Sequence, residues 1–149
     1  MTQGALAQHI RPLLQSCNTA LPSEAEWEYA CRAGTLTCYV FGDEITDDLA
    51  NFGGKIGKTT IIGSYRANLW QLYDVHGNVC EWVEDVWHDN YVGAPQDGTA
   101  WVDGSDNSLI VIRGGSWSDY QRTVRSAVRG KELASNRYNF VGLRLARAV

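Results

Sequence analysis

Leu72-Tyr-Asp-Val-His-Gly-Asn-Val-Cys-Glu-Trp82 is the stretch around which the rest of the chain is read. It sets two carboxylates, Asp74 and Glu81, on either side of a Gly77-Asn78 turn and closes on a tryptophan. Large apolar residues alternate with oxygen-bearing ones, so one side can pack while the other gathers oxygens. A hard cation such as calcium takes about six to eight oxygens from carboxylates, carbonyls and water. Asp74 and Glu81 would supply charge, and the turn would aim main-chain carbonyls inward. The spacing is not that of the best-known calcium loop, which has about twelve residues. On spacing alone two readings stand. One is an ion-holding hairpin; the other is a turn made by Asn78, with Glu81 paired to one of the later arginines.

On the N-terminal side of this stretch, Leu21–Gly34 carries the clearest local signal. Ser23 and Glu26 form a Ser-x-x-Glu capping box, in which each side chain satisfies the other's free backbone N–H. Trp27, Ala30 and Cys31 fall on one face at helical spacing, and Gly34 supplies a left-handed residue to end the helix. A short amphipathic helix anchored by Trp27 is expected. Ala5–Gln15 is weakly helical and interrupted by Pro12. Between the helix and the hairpin, Cys38–Phe41 and the β-branched Thr59–Ser64 read as strands, separated by turns at Gly53, Gly54 and Gly57. Asp43, Glu44, Asp47 and Asp48 read as a solvated acidic loop.

On the C-terminal side, Pro95–Ser108 is a long polar connection and Leu109–Ile112 a strand leading into Arg113-Gly-Gly-Ser-Trp117. A second polar stretch, Ser118–Asn139, carries four arginines, and Val141–Ala146 closes the chain as a strand. One good helix and several short strands among long loops make an α+β fold.

Bulk properties narrow the function. The 149 residues suit one domain, and 44% hydrophobic against 20% charged residues is a globular balance. A net charge of −4 without a basic tract argues against nucleic acid and anionic membrane as partners. No apolar run is long enough to span a bilayer, and Met1–Gln15 lacks the pattern of a signal peptide. Four cysteines without a Cys-x-x-Cys pair read as free thiols in a cytoplasmic protein. His76 and His88, without a supporting ligand pair, read as hydrogen-bonded side chains rather than a transition-metal site.

Five blocks together resemble the formylglycine-generating enzyme (sulfatase-modifying factor) domain family. They are Leu21-Pro-Ser-Glu-Ala-Glu-Trp-Glu-Tyr-Ala30, Leu72–Trp82, Arg113-Gly-Gly-Ser-Trp117, Arg125-Ser-Ala127 and Gly142-Leu-Arg-Leu-Ala146, in the family's order. The resemblance covers residues 21–149 and leaves residues 1–20 poorly matched. It implies a loop-rich, variant C-type-lectin-like fold. The family's additional N-terminal strands have no clear counterpart here, which implies a shortened member completed by an oligomer or a partner chain.

The resemblance also favours calcium, held by the Asp74 and Glu81 side chains and the Gly77 and Val79 carbonyls. A second family site would begin at Asn51 and Phe52, but Lys55-Ile-Gly-Lys58 stands where its other ligands fall, so it is not assigned. The family's oxidases bind copper and substrate through two cysteines beyond the Gly-Gly-Ser. Those positions hold Asp119 and Val124, neither of which forms a thiolate, so copper is not expected and no catalytic residue is assigned. Relatives without the cysteines include parts of larger enzymes, accessory domains and lectin-like display modules, some of them in diversity-generating retroelement systems. The implied function is a non-catalytic, calcium-stabilised ligand-binding or display domain. Its surface would be Trp117, Ser118, Asp119, Tyr120 and Arg122, a Tyr/Ser/Asp mixture suited to adaptable recognition. The alternatives are a formylglycine-generating oxidase and an accessory domain of a larger enzyme. Against a surface role stands the reading of Trp117 as core and of Arg113 and Arg144 as neutralising buried carboxylates.

Overall fold

The computed structural model describes residues 19–103 and 108–147; the helical expectation for Ala5–Gln15 lies outside them. Its elements are strand β1 (Thr19–Ala20), helix α1 (Glu24–Arg32), and strands β2 (Cys80–Val86), β3 (Leu109–Arg113), β4 (Arg129–Leu133), β5 (Val141–Leu143) and β6 (Ala146–Arg147). A single 3-10 turn spans Gln121–Thr123. One sheet has the order β4-β3-β2-β5, antiparallel except for the parallel β2–β5 pair; β1 and β6 form a separate antiparallel pair.

Helix α1 forms as its capping box dictates. Ser23 Oγ accepts from the Glu26 N–H at 3.1 Å, and Glu26 Oε2 accepts from the Ser23 N–H at 2.9 Å. Asp85 adds a third cap, accepting the Glu24 N–H at 2.7 Å, where a carboxylate also suits the positive end of the helix. At the C-terminal end Ala33 (φ 45°) is the left-handed cap, and Gly34 (φ 92°), the glycine expected there, follows it with a positive φ as well.

Strand β2 is the centre of the fold and is buried on both faces. Its alternation sorts the interior. Val83 joins Trp27, Cys31, Val40, Val75 and Val111 on the helix side, while Cys80 and Trp82 pack with Ile112 on the other. A third cluster, Tyr39, Ile45, Ala50 and Val124, lies beneath the loops.

Four expectations are corrected. Leu72–Trp82 is not a two-stranded hairpin, because only its end, from Cys80, is strand, and that strand pairs with distant β3 and β5. Thr59–Ser64 forms no strand: Ile61 and Ile62 are 85% and 82% exposed, so β-propensity has no neighbouring sheet to act on. Cys38–Phe41 contains one isolated bridge, Tyr39 with Gly42, closing a turn. Val141–Ala146 is divided between β5 and β6, which belong to different sheets. Among the described residues no helix is long and apolar enough to cross a membrane.

Candidate functional site

The turn at Gly77-Asn78 is locked by its backbone. Gly77 (φ 73°) donates its N–H to the Gly114 carbonyl at 2.9 Å, and a Cβ at this position would collide with the Asn51 carbonyl oxygen. Asn78 (φ 62°) donates its N–H to that same Asn51 oxygen at 2.8 Å, while its side chain accepts the Thr60 N–H at 2.9 Å. The turn therefore fixes residues 51–60 against the end of β3.

Beyond the turn, β2 carries the Glu81 carboxylate into the interior, where it is 5% exposed. Trp27 donates its indole N–H to Oε2 at 2.7 Å. Arg144 grips both oxygens, Nε to Oε2 at 2.9 Å and Nη2 to Oε1 at 2.8 Å, and Nη2 also reaches the Tyr73 carbonyl at 2.8 Å. Burial lowers the pKa of the guanidinium, but the Glu81 hydrogen bonds and the charges of Glu81 and Asp74 outweigh it, leaving Arg144 above its ordinary value. Asp74 itself (φ 54°) accepts the Gly63 N–H on Oδ2 at 2.8 Å. Glu81 and the Tyr73 main-chain oxygen thus meet one positive charge, while Asp74 is tied to the Gly63 backbone. Gly77 and Val79 lie in the connecting turn, with the Val79 side chain packed over Gly142. Arg144 is the ion-pair partner of Glu81 at this turn, and among the described residues no group of three or more His, Cys, Asp or Glu side chains is placed to hold a metal ion.

The second region is the loop after Trp117, and its backbone carries it. Trp117 donates its N–H to the Asn78 carbonyl at 2.9 Å; the carbonyls of Trp117 and Asp119 accept the N–H groups of Gly54 at 2.8 Å and Gly53 at 2.7 Å. Tyr39 Oη donates to the Gln121 carbonyl at 2.8 Å. At Gly115 (φ 68°) a Cβ would lie 2.7 Å from Val124, so the chain passes there only without a side chain. The five residues singled out from the sequence divide here. Ser118, Tyr120 and Arg122 are exposed, Tyr120 to 72%. Asp119 turns inward, its Oδ2 accepting from Ser116 N–H at 2.8 Å and Ser116 Oγ at 2.7 Å. Trp117 is half-buried, and its indole N–H is enclosed without a partner.

A sequence model of the sulfatase-modifying factor enzyme 1-like domain matches residues 14–149. The chain belongs to that family. It is similar to a serine/threonine-protein kinase pkn1 of Chlamydia caviae, 37% identical over 131 residues, which are 87% of this chain and 21% of the kinase. Among solved structures it resembles PvdO from Pseudomonas aeruginosa, with a TM-score of 0.84 and 37% identity over 95% of this chain and 58% of that one. It also resembles Treponema denticola variable protein 1, with a TM-score of 0.75 and 32% identity over 85% of this chain and 46% of that one. The chain therefore spans about a fifth of the kinase's length and about half of each solved neighbour. With these neighbours the fold is the loop-rich α+β, variant C-type-lectin-like architecture expected from the sequence.

Within this sulfatase-modifying factor domain, the two positions where thiols are expected in the family's oxidases are filled by different means. Val124 is fully buried in the cluster beneath the loops, and Asp119 is spent on Ser116. Cys80 comes within 3.8 Å of Asp119 Oδ2, but burial first and the Asp119 charge second push its thiol up to about 12, so it stays protonated.

The sequence reading did not locate a cleft of about 420 Å³ between α1 and residues 91–101, lined by Glu24, Asp85, Tyr91, Trp101 and Arg129 among others. Its charges are mutually engaged. Arg129 holds Glu24 through Nε at 2.7 Å and Nη2 at 2.8 Å, and lies over the rings of Trp87 and Tyr91. Helical spacing marks Glu24 as off the apolar face; its burial follows from an arginine far along the chain, which no local pattern shows.

Proposed function

We propose that this domain is a non-catalytic recognition module of the sulfatase-modifying factor family, binding its ligand through Ser118, Tyr120 and Arg122 with Trp117 and Asp119 beneath them. The observation that carries this reading is the division of labour in the loop: backbone and inward side chains hold it, and three chemically different side chains face solvent. The name of the Treponema neighbour, a variable protein, is consistent with a surface whose exposed residues are free to change. A cation at the Asp74–Glu81 turn belongs to the same proposal. Calcium would draw on the Asp74 and Glu81 side chains and the Gly77 and Val79 carbonyls, and would brace the scaffold below the loop.

The test is binding to glycan and protein arrays. Retention of a ligand by the wild type and its loss in Tyr120→Ala, with an unchanged melting curve, is the expected result. Conversion of a peptide bearing a sulfatase-type cysteine, seen as a mass change with copper and oxygen supplied, would favour the oxidase and overturn the proposal. A second reading, an accessory domain within a larger enzyme, is favoured by the kinase relative, of which the matched region is only 21%. The free thiols of Cys31, Cys38 and Cys80 suit a reducing, cytoplasmic setting.

A further inference from the structure

Just past the end of β2, both ring nitrogens of the half-buried His88 face main-chain oxygens. Nδ1 lies 3.1 Å from the Val86 carbonyl and Nε2 lies 2.6 Å from the Asp103 carbonyl. A carbonyl oxygen only accepts, and a neutral imidazole has a single N–H, its other nitrogen being an acceptor. Only the doubly protonated ring donates to both. In the neutral ring, whichever nitrogen keeps its hydrogen, the other turns a lone pair toward a carbonyl oxygen. His76 shows the contrast: its Nε2 meets the Val40 N–H and its Nδ1 the Val124 carbonyl, a pair that a neutral ring serves fully. The His88 ring also lies flat on Trp101, centroids 3.5 Å and planes 4° apart, where an indole face favours a cation.

The same ring joins two walls of a cleft. Trp101 lines the opening between α1 and residues 91–101, its N–H bonded to Asp85 Oδ1 at 2.9 Å and its carbonyl to the Val86 N–H at 3.1 Å. His88 extends that attachment by two residues, to Asp103. Charges of both signs surround it. On β4, Arg129 donates to the His88 carbonyl at 2.9 Å, and Lys131 lies over the Trp87 ring. Opposite them stand Asp85, Asp89 (which takes the Trp87 indole N–H at 2.8 Å) and the exposed Asp103, while Glu24 of α1 is held by Arg129 and Tyr91. We propose that His88 is a proton-operated clasp: the charged ring ties Val86 to Asp103 and fixes Trp101 as a wall of the cleft, and loss of one proton releases one tie. Either Asp103 comes free, or the ring turns away from Val86 and off its stack on Trp101. The clasp therefore closes as pH falls through the ordinary histidine range, about 6.5, and loosens as pH rises through it. The sign is opposite to that at His76, whose protonation costs it the Val40 N–H.

Hydrogen exchange of residues 92–103 in the full chain tests this, read by mass spectrometry at about pH 6 and about pH 8, either side of the ordinary histidine value. Rates are corrected for the intrinsic pH dependence of exchange, and the hydrogens on the His88 ring nitrogens are followed by NMR in the same samples. Protection should be about threefold to tenfold greater at the lower pH, the worth of one hydrogen bond. Both ring nitrogens should carry hydrogen there, and one at the higher pH. His88→Phe keeps a flat ring for Trp101 but has no N–H, so its protection should be low and equal at the two pH values. Equal protection in the wild type overturns the clasp, as does a pH dependence that survives in His88→Phe or a His88 ring in one protonation state throughout. If His88→Phe does not fold, the wild-type measurements decide alone, because acid acting on His76 lowers protection across the fold and does not raise it in one loop.

Discussion

The turn at residues 72–82 and the loop at 117–124 touch through the Trp117–Asn78 hydrogen bond, yet they are held in opposite ways. In the first, side chains add to the backbone bonds of Gly77 and Asn78: Glu81, Trp27, Arg144 and His76 each spend their polar atoms on a neighbour. In the second, main-chain groups of Trp117, Asp119 and Gln121 make the attachments to other segments, while of the outward side chains Ser118 reaches only its loop neighbour Ser116 and Gln121 adds a bond to the Ile45 carbonyl. A segment held by side chains cannot change its sequence cheaply, whereas one held by backbone can. The difference separates scaffold from the proposed recognition surface more sharply than exposure does, and substitutions on the two sides should differ in kind.

The largest effect is expected at Glu81. Glu81→Ala strands the Arg144 guanidinium and the buried Trp27 N–H together, and should cost about 3–5 kcal/mol in urea unfolding. A loss below about 1 kcal/mol would show that the ion pair is not the centre of the scaffold.

Acid should act on the same side of the comparison. His76 is 2% exposed; its Nε2 accepts the Val40 N–H at 3.0 Å, so Nδ1 bears the proton and donates to the Val124 carbonyl at 2.8 Å. Burial lowers its pKa from 6.5 to about 4. Between those values the unfolded chain binds a proton that the folded chain refuses, so stability is full above pH 6.5 and lost as pH falls toward 4. The loss amounts to about 3 kcal/mol. Unfolding measured across that range should show the decline in wild type and a flatter profile in His76→Gln.

How much of this was legible in the sequence follows the same division. Helix α1 was read correctly because capping is local: Ser23 and Glu26 stand three apart and need no other part of the chain. The strand at Leu109–Ile112 showed as an apolar run. Strand β4, Arg-Gly-Lys-Glu-Leu, did not, because it lies at the sheet edge, where neither face demands apolar alternation. Thr59–Ser64 had the right residues and no neighbour. Pairing of Glu81 with a later arginine stood among the sequence readings, but which arginine depends on β5 lying parallel to β2, and no spacing encodes that.

A smaller cost, about 2 kcal/mol, is expected for Gly77→Ala, where the positive φ and the Asn51 carbonyl both oppose a side chain. Gly98→Ala supplies the control, because its φ of 81° is also positive but its Cβ would meet nothing within 4 Å. Unfolding that is equal in the two would mean that backbone conformation alone, and not the close approach to Asn51, explains the cost.

The smallest expected effect on stability is the one that bears most on the proposed recognition role. Tyr120→Ser and Arg122→Ser remove exposed side chains while leaving the Thr123 N–H to Tyr120 carbonyl bond at 2.9 Å and the Gln121 anchor in place. Each should change unfolding free energy by no more than about 0.5 kcal/mol. Asp119→Ser is the informative contrast. It lies in the same loop, but its carboxylate holds the Ser116 N–H and hydroxyl, so it should behave as a scaffold residue and cost about 1–2 kcal/mol. If Tyr120→Ser destabilises the fold as much as Asp119→Ser, the loop is not carried by its backbone and the two regions are not different in kind. If the two part as expected, the boundary between scaffold and surface runs through this loop, with Ser118, Tyr120 and Arg122 outside it and Asp119 within.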